Sequence, residues 1–397
     1  MYPHPKSLAK RALYLMASSV ISASKIEEVL VLDHGNVRLP TQLPMEGAEV
    51  VAVVPQTNVR EGAERVIYVS TNRVGLAYLN GRLLQGFGRY HELIWLGMDP
   101  SALELKLKFF RTGFLGSHAD PPKLEGLTHA TILKDGWVLG LKALHLIEVA
   151  EAIRSIKPEV SEELLNLVRG TLDKAYVEAP PLHGLSFVME VVDPSLASFP
   201  PSTDELRVMM RERPDALVEA GFRCINEEEL LKGVREGLQV LAEGLKELRR
   251  KWWKEGKVHA VAISHLDAAW LWPYSEGRLK AIHTFANALR LLSEFRDVTY
   301  AQSSPQYYEW AREAEPDLLR RVREAVRKGR WEVVGGMWVE SDAVLPGLES
   351  MVRQFYYGQR WFERELGVKA SIAWLQDSFG FNPILPQIMR QAGISTS

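Results

Sequence analysis

The chain of 397 residues is long enough for two or three domains and a large buried core. Its 25% charged and 46% hydrophobic residues are ordinary for a globular protein, and a formal net charge of -2 without runs of like charge excludes a polyanion-binding surface, so nucleic acid is not an expected partner. The single cysteine, Cys224, excludes an intrachain disulfide and a cysteine-based structural zinc site, which fits a reducing, cytoplasmic setting.

Residues 1 to 30 read as helical. Lys6, Lys10 and Arg11 precede the apolar run Ala12–Ala17, an arrangement shared with short secretory signals. That run is brief, diluted by serines, and flows into Lys25-Ile26-Glu27-Glu28, so an ordinary N-terminal helix is the favoured reading. No apolar stretch reaches the ~18 to 20 residues of a membrane span, and no membrane partner is expected. From about residue 48 the texture changes to short β-rich runs at Val50–Val54, Arg65–Ser70, Gly75–Leu79 and Leu93–Leu96, continuing to about residue 116. Asn80-Gly81 is a hairpin signal, because both positions tolerate positive φ. The spacing predicts a small antiparallel sandwich that covers a neighbour rather than binding sugar. His118-Ala119-Asp120, followed by Pro121-Pro122 and led by no apolar strand, reads as a surface loop.

Residues 140 to 177 are expected to be helical, with Ser161 opening a capped helix. A proline-rich connection covers 193–203, and Asn226 with Glu229 forms a capping box for a long helix reaching Arg250, read as a structural bridge between domains. After Gly256 the chain alternates: strand 258–263 then helix 277–295, strand 298–302 then helix 306–328, strand 331–334 then helix 348–366, strand 370–376 then a helix from about 383. Four such units imply an α/β arrangement with a parallel sheet and crossover helices. The expected organisation is a mixed helical and sandwich region over 1–200, a helical linker over 201–256, and a β/α region over 257–397.

All strands of such a sheet open their carboxyl ends on one side. The first offers His265, Asp267 and Trp270; the second Gln302-Ser303-Ser304; the third Gly335-Gly336-Met337-Trp338-Val339-Glu340-Ser341-Asp342; the fourth Asp377-Ser378-Phe379-Gly380. Alternate residues of an extended chain face the same way, so His265 and Asp267 would point together. An imidazole, carboxylates and indoles at one mouth suit a zinc site that also handles a sugar. Singly, His265 with Asp267 could be a buried hydrogen-bonded pair and Asp377 a helix cap. Their joint placement at the ends of different strands favours the site.

These stretches resemble the α-mannosidases of glycoside hydrolase family 38, particularly the cytosolic-type branch. The similarity rests on His265-x-Asp267-Ala268-Ala269-Trp270-Leu271-Trp272-Pro273, on Gly335–Asp342, on Trp374-Leu375-Gln376-Asp377-Ser378-Phe379-Gly380, and on Leu385–Met389. It is specific across 258–394. The resemblance implies a (β/α)7 barrel, of which these would be the first four units, and retaining hydrolysis of an α-mannoside with one Zn2+. It implies His265 and Asp267 as zinc ligands, Asp377 as both ligand and nucleophile, and Trp270 as the indole against the bound mannose.

The family's fourth zinc ligand, a histidine, and its acid, an aspartate, lie downstream of the nucleophile, whereas this sequence ends twenty residues after Asp377 and has no histidine after His283. The expectation is therefore an N-terminal portion, inactive alone, whose partner is the downstream half of the enzyme. Two rival readings are another metal-dependent carbohydrate hydrolase, such as a deacetylase, and a non-catalytic remnant or subunit of a split enzyme.

Overall fold

A computed structural model of the protein describes residues 4–44, 47–88, 92–110, 122–175, 177, 180–191, 227–252 and 259–395. The His118-Ala119-Asp120 loop, the proline-rich connection, Asn226 and Val258 lie outside the described residues.

The chain opens with α1 (Pro5–Ser18), which starts on a proline whose missing N–H costs nothing in a first turn and buries Leu8, Ala12, Leu15 and Met16. The expected helix over residues 1 to 30 ends there. Val20, Ile21 and Ile26 are β-branched, and Val20–Ile26 forms β1, paired antiparallel with the later β11 (Lys123–Leu133). A non-local partner outweighs the local helical tendency. β2 (Glu28–Val31), β3 (Gly35–Arg38), β4 (Thr41–Gln42), β5 (Ala48–Val54), β6 (Ala63–Thr71), β7 (Gly75–Leu79), β8 (Arg82–Phe87), β9 (Glu92–Gly97) and β10 (Leu103–Phe109) follow.

These strands make two antiparallel sheets: a five-stranded one ordered β1-β11-β6-β9, with β4 beside β11, and a six-stranded one ordered β3-β2-β5-β10-β7-β8. In β10 leucines alternate with charged residues, and its inward residues Leu103, Leu105 and Leu107 meet Ile67, Val69 and Ile94 of the facing sheet. Each such aliphatic side chain removed from water contributes roughly 1.5–3 kcal/mol. The β7–β8 turn has Asn80 at φ 47° and Gly81 at φ 76°, the two left-handed positions of a tight hairpin.

The outer face of the five-stranded sheet is covered in turn by helices. Val66, Tyr68, Ala130 and Ile132 pack against Met16, against Trp137 of α2 (Lys134–Ile153) and against Phe187 of α4 (Leu182–Val191). Between α2 and α4 in chain order comes α3 (Pro158–Lys174), which packs on α1 and α2. The expected start at Ser161 is displaced: Pro158 occupies the first turn and Ser161 is buried inside the helix. The long helix α5 (Glu227–Trp252) lays Leu230, Val234 and Leu241 onto the α1–α3 bundle, and near its end Lys251 and Trp252 both reach Glu163 of α3.

The last third carries β12 (Ala262–Ile263), α6 (Tyr274–Glu294), β13 (Tyr300–Gln302), α7 (Pro305–Ala314), α8 (Pro316–Arg327), β14 (Trp331–Val333), α9 (Leu348–Leu366) and α10 (Leu385–Gln391). Its three strands form a parallel sheet in the order β12-β13-β14. Helix 306–328 is two helices, broken at Glu315 where Pro316 follows. The fourth strand, expected over 370–376, is only a bridge at Ile372, whose carbonyl accepts from Gly335 N–H at 2.8 Å. Two other backbone groups of that segment are taken by side chains: Gln359 Nε2 donates to the Ala370 carbonyl at 2.8 Å and Gln359 Oε1 accepts from Ala370 N–H at 3.0 Å.

The hairpin β7–β8 rests on this region. Leu76, Tyr78 and Leu83 share one buried cluster with Phe285 and Leu289 of α6 and with Trp331. Gly86 N–H donates to Asn287 Oδ1 at 3.0 Å, and Tyr78 hydroxyl donates to Glu315.

Candidate active site

Short strands leave long loops, and the site is built from those loops. Ser264 to Asp267 continue β12. Leu266 packs on the buried cluster while its neighbours His265 and Asp267 face Asp377, the alternation of an extended chain. The Tyr307 hydroxyl, from the first turn of α7, donates to the carbonyl of Leu266 and fixes the loop between the two polar residues. Burial, followed by the carboxylates of Glu340 and Asp267, holds that phenol well above its ordinary range, so it stays a donor. Just before α7, Ser304 adopts φ 65°, a strained conformation for a residue with a side chain.

Helices reach the site loops through glycine. A Cβ on Gly277 of α6 would lie 2.0 Å from the carbonyl oxygen of Ala268, and one on Gly358 of α9 would lie 2.2 Å from that of Gly336. Backbone therefore meets backbone behind both loops.

One donor atom each from His265, Asp267 and Asp377 lies within 4.8 Å of the others. Nε2 of His265 is 3.4 Å from Asp267 Oδ1 and 3.7 Å from Asp377 Oδ2. Ligands bound at ~2.0–2.1 Å to a tetrahedral ion sit about 3.3 Å apart, so these separations would let the three serve as donors to one cation. An imidazole with two carboxylates is a donor set for a divalent transition ion.

Two groups that the sequence did not single out complete the geometry. Glu340 lies behind the three, with His265 Nδ1 at 3.5 Å from its Oε2 and Asp377 N–H donating to its Oε1 at 3.0 Å. Tyr307 is the other. Nothing in its sequence context marks it, whereas Glu340 sits inside a quoted motif. Asp342, of the same motif, turns back on its own loop and accepts from Val344 and Leu345 N–H at 2.8 and 2.7 Å, which holds its carboxyl below the usual range. Trp270, three residues past Asp267, is exposed, its ring edge-on to that of Trp272 with centroids 5.3 Å apart. Ser378 Oγ and Gln302 Nε2 are buried without a hydrogen-bond partner among the described residues.

Residues 255–397 match the family described as Glycosyl hydrolases family 38 N-terminal domain. The chain is 42% identical over 137 residues to Alpha-mannosidase 2C1 of Homo sapiens, covering 34% of this chain and 13% of that protein. It is 39% identical over 138 residues to Alpha-mannosidase G of Dictyostelium discoideum, covering 35% and 13%, and 36% identical over 138 residues to the Alpha-mannosidase of Saccharomyces cerevisiae, covering 34% and 13%. A crystal structure of an alpha-mannosidase from Enterococcus faecalis aligns with 34% of this chain and 15% of its own, at 24% identity and a TM-score of 0.32. Among the described residues no helix is long and apolar enough to cross a membrane. Over residues 255–397, which hold every residue of the cluster, the chain is therefore similar in sequence to the N-terminal domain of glycosyl hydrolases family 38.

Proposed function

We propose that this polypeptide is the first part of a zinc-dependent retaining α-mannosidase working in the cytoplasm. In this reading residues 257–397 form the first four units of a (β/α)7 barrel, 201–256 a helical linker, and 1–200 a mixed helical and sandwich region. The observation that carries it is the convergence of His265 and Asp267, just past the carboxyl end of the parallel strand β12, with Asp377 from a segment far along the chain. These three residues would hold Zn2+, which when bound supplies a Lewis acid that grips and orients sugar hydroxyls.

Asp377 has the right chemistry for the nucleophile. Its carboxylate would attack the anomeric carbon, forming a glycosyl ester as the glycosidic C–O bond breaks, and the departing oxygen would take a proton from an acid. Water would then cleave the ester, with the same acid now accepting the proton. Trp270 would lie against the sugar's apolar face. The acid and the fourth ligand would come from the downstream half of the enzyme, a reading favoured by the 13% of each relative that the match covers. Exposed apolar side chains around the site, among them Leu345 at 85% and Phe379 at 83%, supply a surface for it.

The test is to express residues 1–397 alone and beside the remaining length of the enzyme, and to assay both with an aryl α-mannoside. The fragment alone should turn over negligibly, since a missing acid costs roughly 10²- to 10⁴-fold. The assembly should be active, lose activity on chelation, and lose at least on the order of 10³-fold with Asp377→Asn. Comparable turnover by the fragment alone would overturn the division of labour. Near-normal activity of the variant would place the nucleophile elsewhere.

A further inference from the structure

We propose that Glu340 is a positioning residue whose single carboxylate sets both the orientation of the His265 ring and the height of the loop bearing Asp377; this rests on the ligand assignment above. Its two oxygens are divided between two loops. Oε1 accepts from the backbone N–H of Asp377 at 3.0 Å, and Oε2 lies 3.5 Å from Nδ1 of His265. The Glu340 carboxylate offers a proton on Nδ1 an acceptor on the side away from the cluster, and so favours the ring orientation that turns Nε2 toward Asp267 and Asp377, as a cation bound between them needs. The same group prevents the Asp377 loop from moving independently of the ring.

Glu340 is itself held firmly. Trp338 N–H donates to the Gln354 carbonyl at 2.9 Å, and Val339 N–H to Gln354 Oε1 at 3.0 Å. Trp338 Nε1 donates to Gln306 Oε1 at 3.0 Å, and Glu340 N–H to Ser304 Oγ at 3.2 Å. Anchors from α7, from α9 and from the end of β13 thus converge on one three-residue stretch. The Glu340 side chain is 11% exposed against 54% for Asp377, so it lies behind the nucleophile and not at the mouth.

Glu340→Gln offers one oxygen and one amide. It can serve the Asp377 N–H or the His265 Nδ1–H, and not both. The experiment titrates Zn2+ by calorimetry into residues 1–397 and into this variant, with Asp342→Asn as a control carboxylate that touches no ligand. The ¹⁵N shifts of the His265 ring are read in the metal-free proteins. Glu340→Gln should weaken zinc binding roughly 10- to 100-fold, as loss of an outer partner of a ligating histidine does. It should also move the His265 ring away from the Nδ1–H form, with an unchanged thermal midpoint; the control should do neither. If Glu340→Gln does not fold, Gln354→Ala carries the test and should weaken binding several-fold in the same direction. Wild-type affinity in these variants would overturn the role of Glu340 while leaving the ligand assignment standing. No zinc binding by the wild-type chain would overturn the assignment itself, and the role with it.

Discussion

The antiparallel and parallel halves of this molecule use their strands differently. In the N-terminal sheets β11 runs eleven residues, has β1 and β6 along its sides, and is buried on both faces over most of its length. In the parallel sheet the strands are two or three residues long, and among the described residues β12 pairs with β13 alone. The long ladders use up their backbone groups on each other and close a core. The short ones fix only where three loops begin, and the polar cluster grows from those after β12 and β14 and from the segment that follows the bridge at Ile372. Large apolar residues are exposed in both halves, Val53, Met98 and Ile156 in the first and Trp270, Leu345 and Phe379 in the last third, where those three follow the parallel strands and flank the polar cluster in sequence.

The largest test of that contrast is a pair of core truncations. Phe285 sits edge-on to Tyr308 and Trp331, and Phe87 edge-on to Phe109, each fully buried. Replacing either by alanine should cost about 3–5 kcal/mol. Because hairpin β7–β8 shares the cluster of Phe285, both variants should lower one common urea transition. Two separable transitions, each moved by one variant, would show that the halves unfold independently.

Acid should weaken both the sandwich and its contact with α6. Burial, then the neighbouring Arg65 guanidinium, holds the His129 imidazole down at about 4 against an ordinary 6.5. Between those values the unfolded chain binds a proton that the folded chain refuses. Stability is therefore fully present above 6.5 and falls as pH falls toward 4, by roughly 3 kcal/mol in all. His283, against the Phe87 carbonyl at 3.2 Å, is lowered by burial and adds in the same direction. Urea midpoints at about pH 7 and about pH 5 should show this fall, reduced in His129→Gln; equal falls in both proteins would remove His129 from the account.

The smallest expected effect is at the hairpin tip. Gly81→Ala places a side chain at φ 76° with open space around it, so strain alone should cost about 1 kcal/mol. A cost several times larger would mean that the turn, and not the Leu76–Leu83 contact, holds the hairpin on α6.

The Asn80-Gly81 hairpin was legible because both turn residues tolerate positive φ, whereas β10, whose leucines alternate with charged residues, was covered only by the general β-rich texture of its region. Over most of β11 both faces are buried, so Thr128, His129 and Thr131 carry no alternation to read. The end of α1 at Ser18 depends on that distant strand. The fourth parallel segment looked like its siblings, and what shortens it is a side chain from α9. At the site, His265, Asp267 and Asp377 were legible because each follows a strand-like run. Tyr307 and the role of Glu340 were not, since each acts through contacts between loops far apart in sequence.

Gly277 and Gly358 give the site an unusual kind of fragility. Neither is near enough to a sugar or an ion to be chosen by a chemist surveying reactive groups. Yet each is where a helix leans directly on the backbone of a loop that carries chemistry, with room for a hydrogen atom and no more. A single added methyl group at 277 would push Ala268, and Asp267 beside it, off the position that His265 and Asp377 share. In a random library the quiet losses of function should therefore cluster at these two glycines, among proteins that still fold and still display every polar residue of the site.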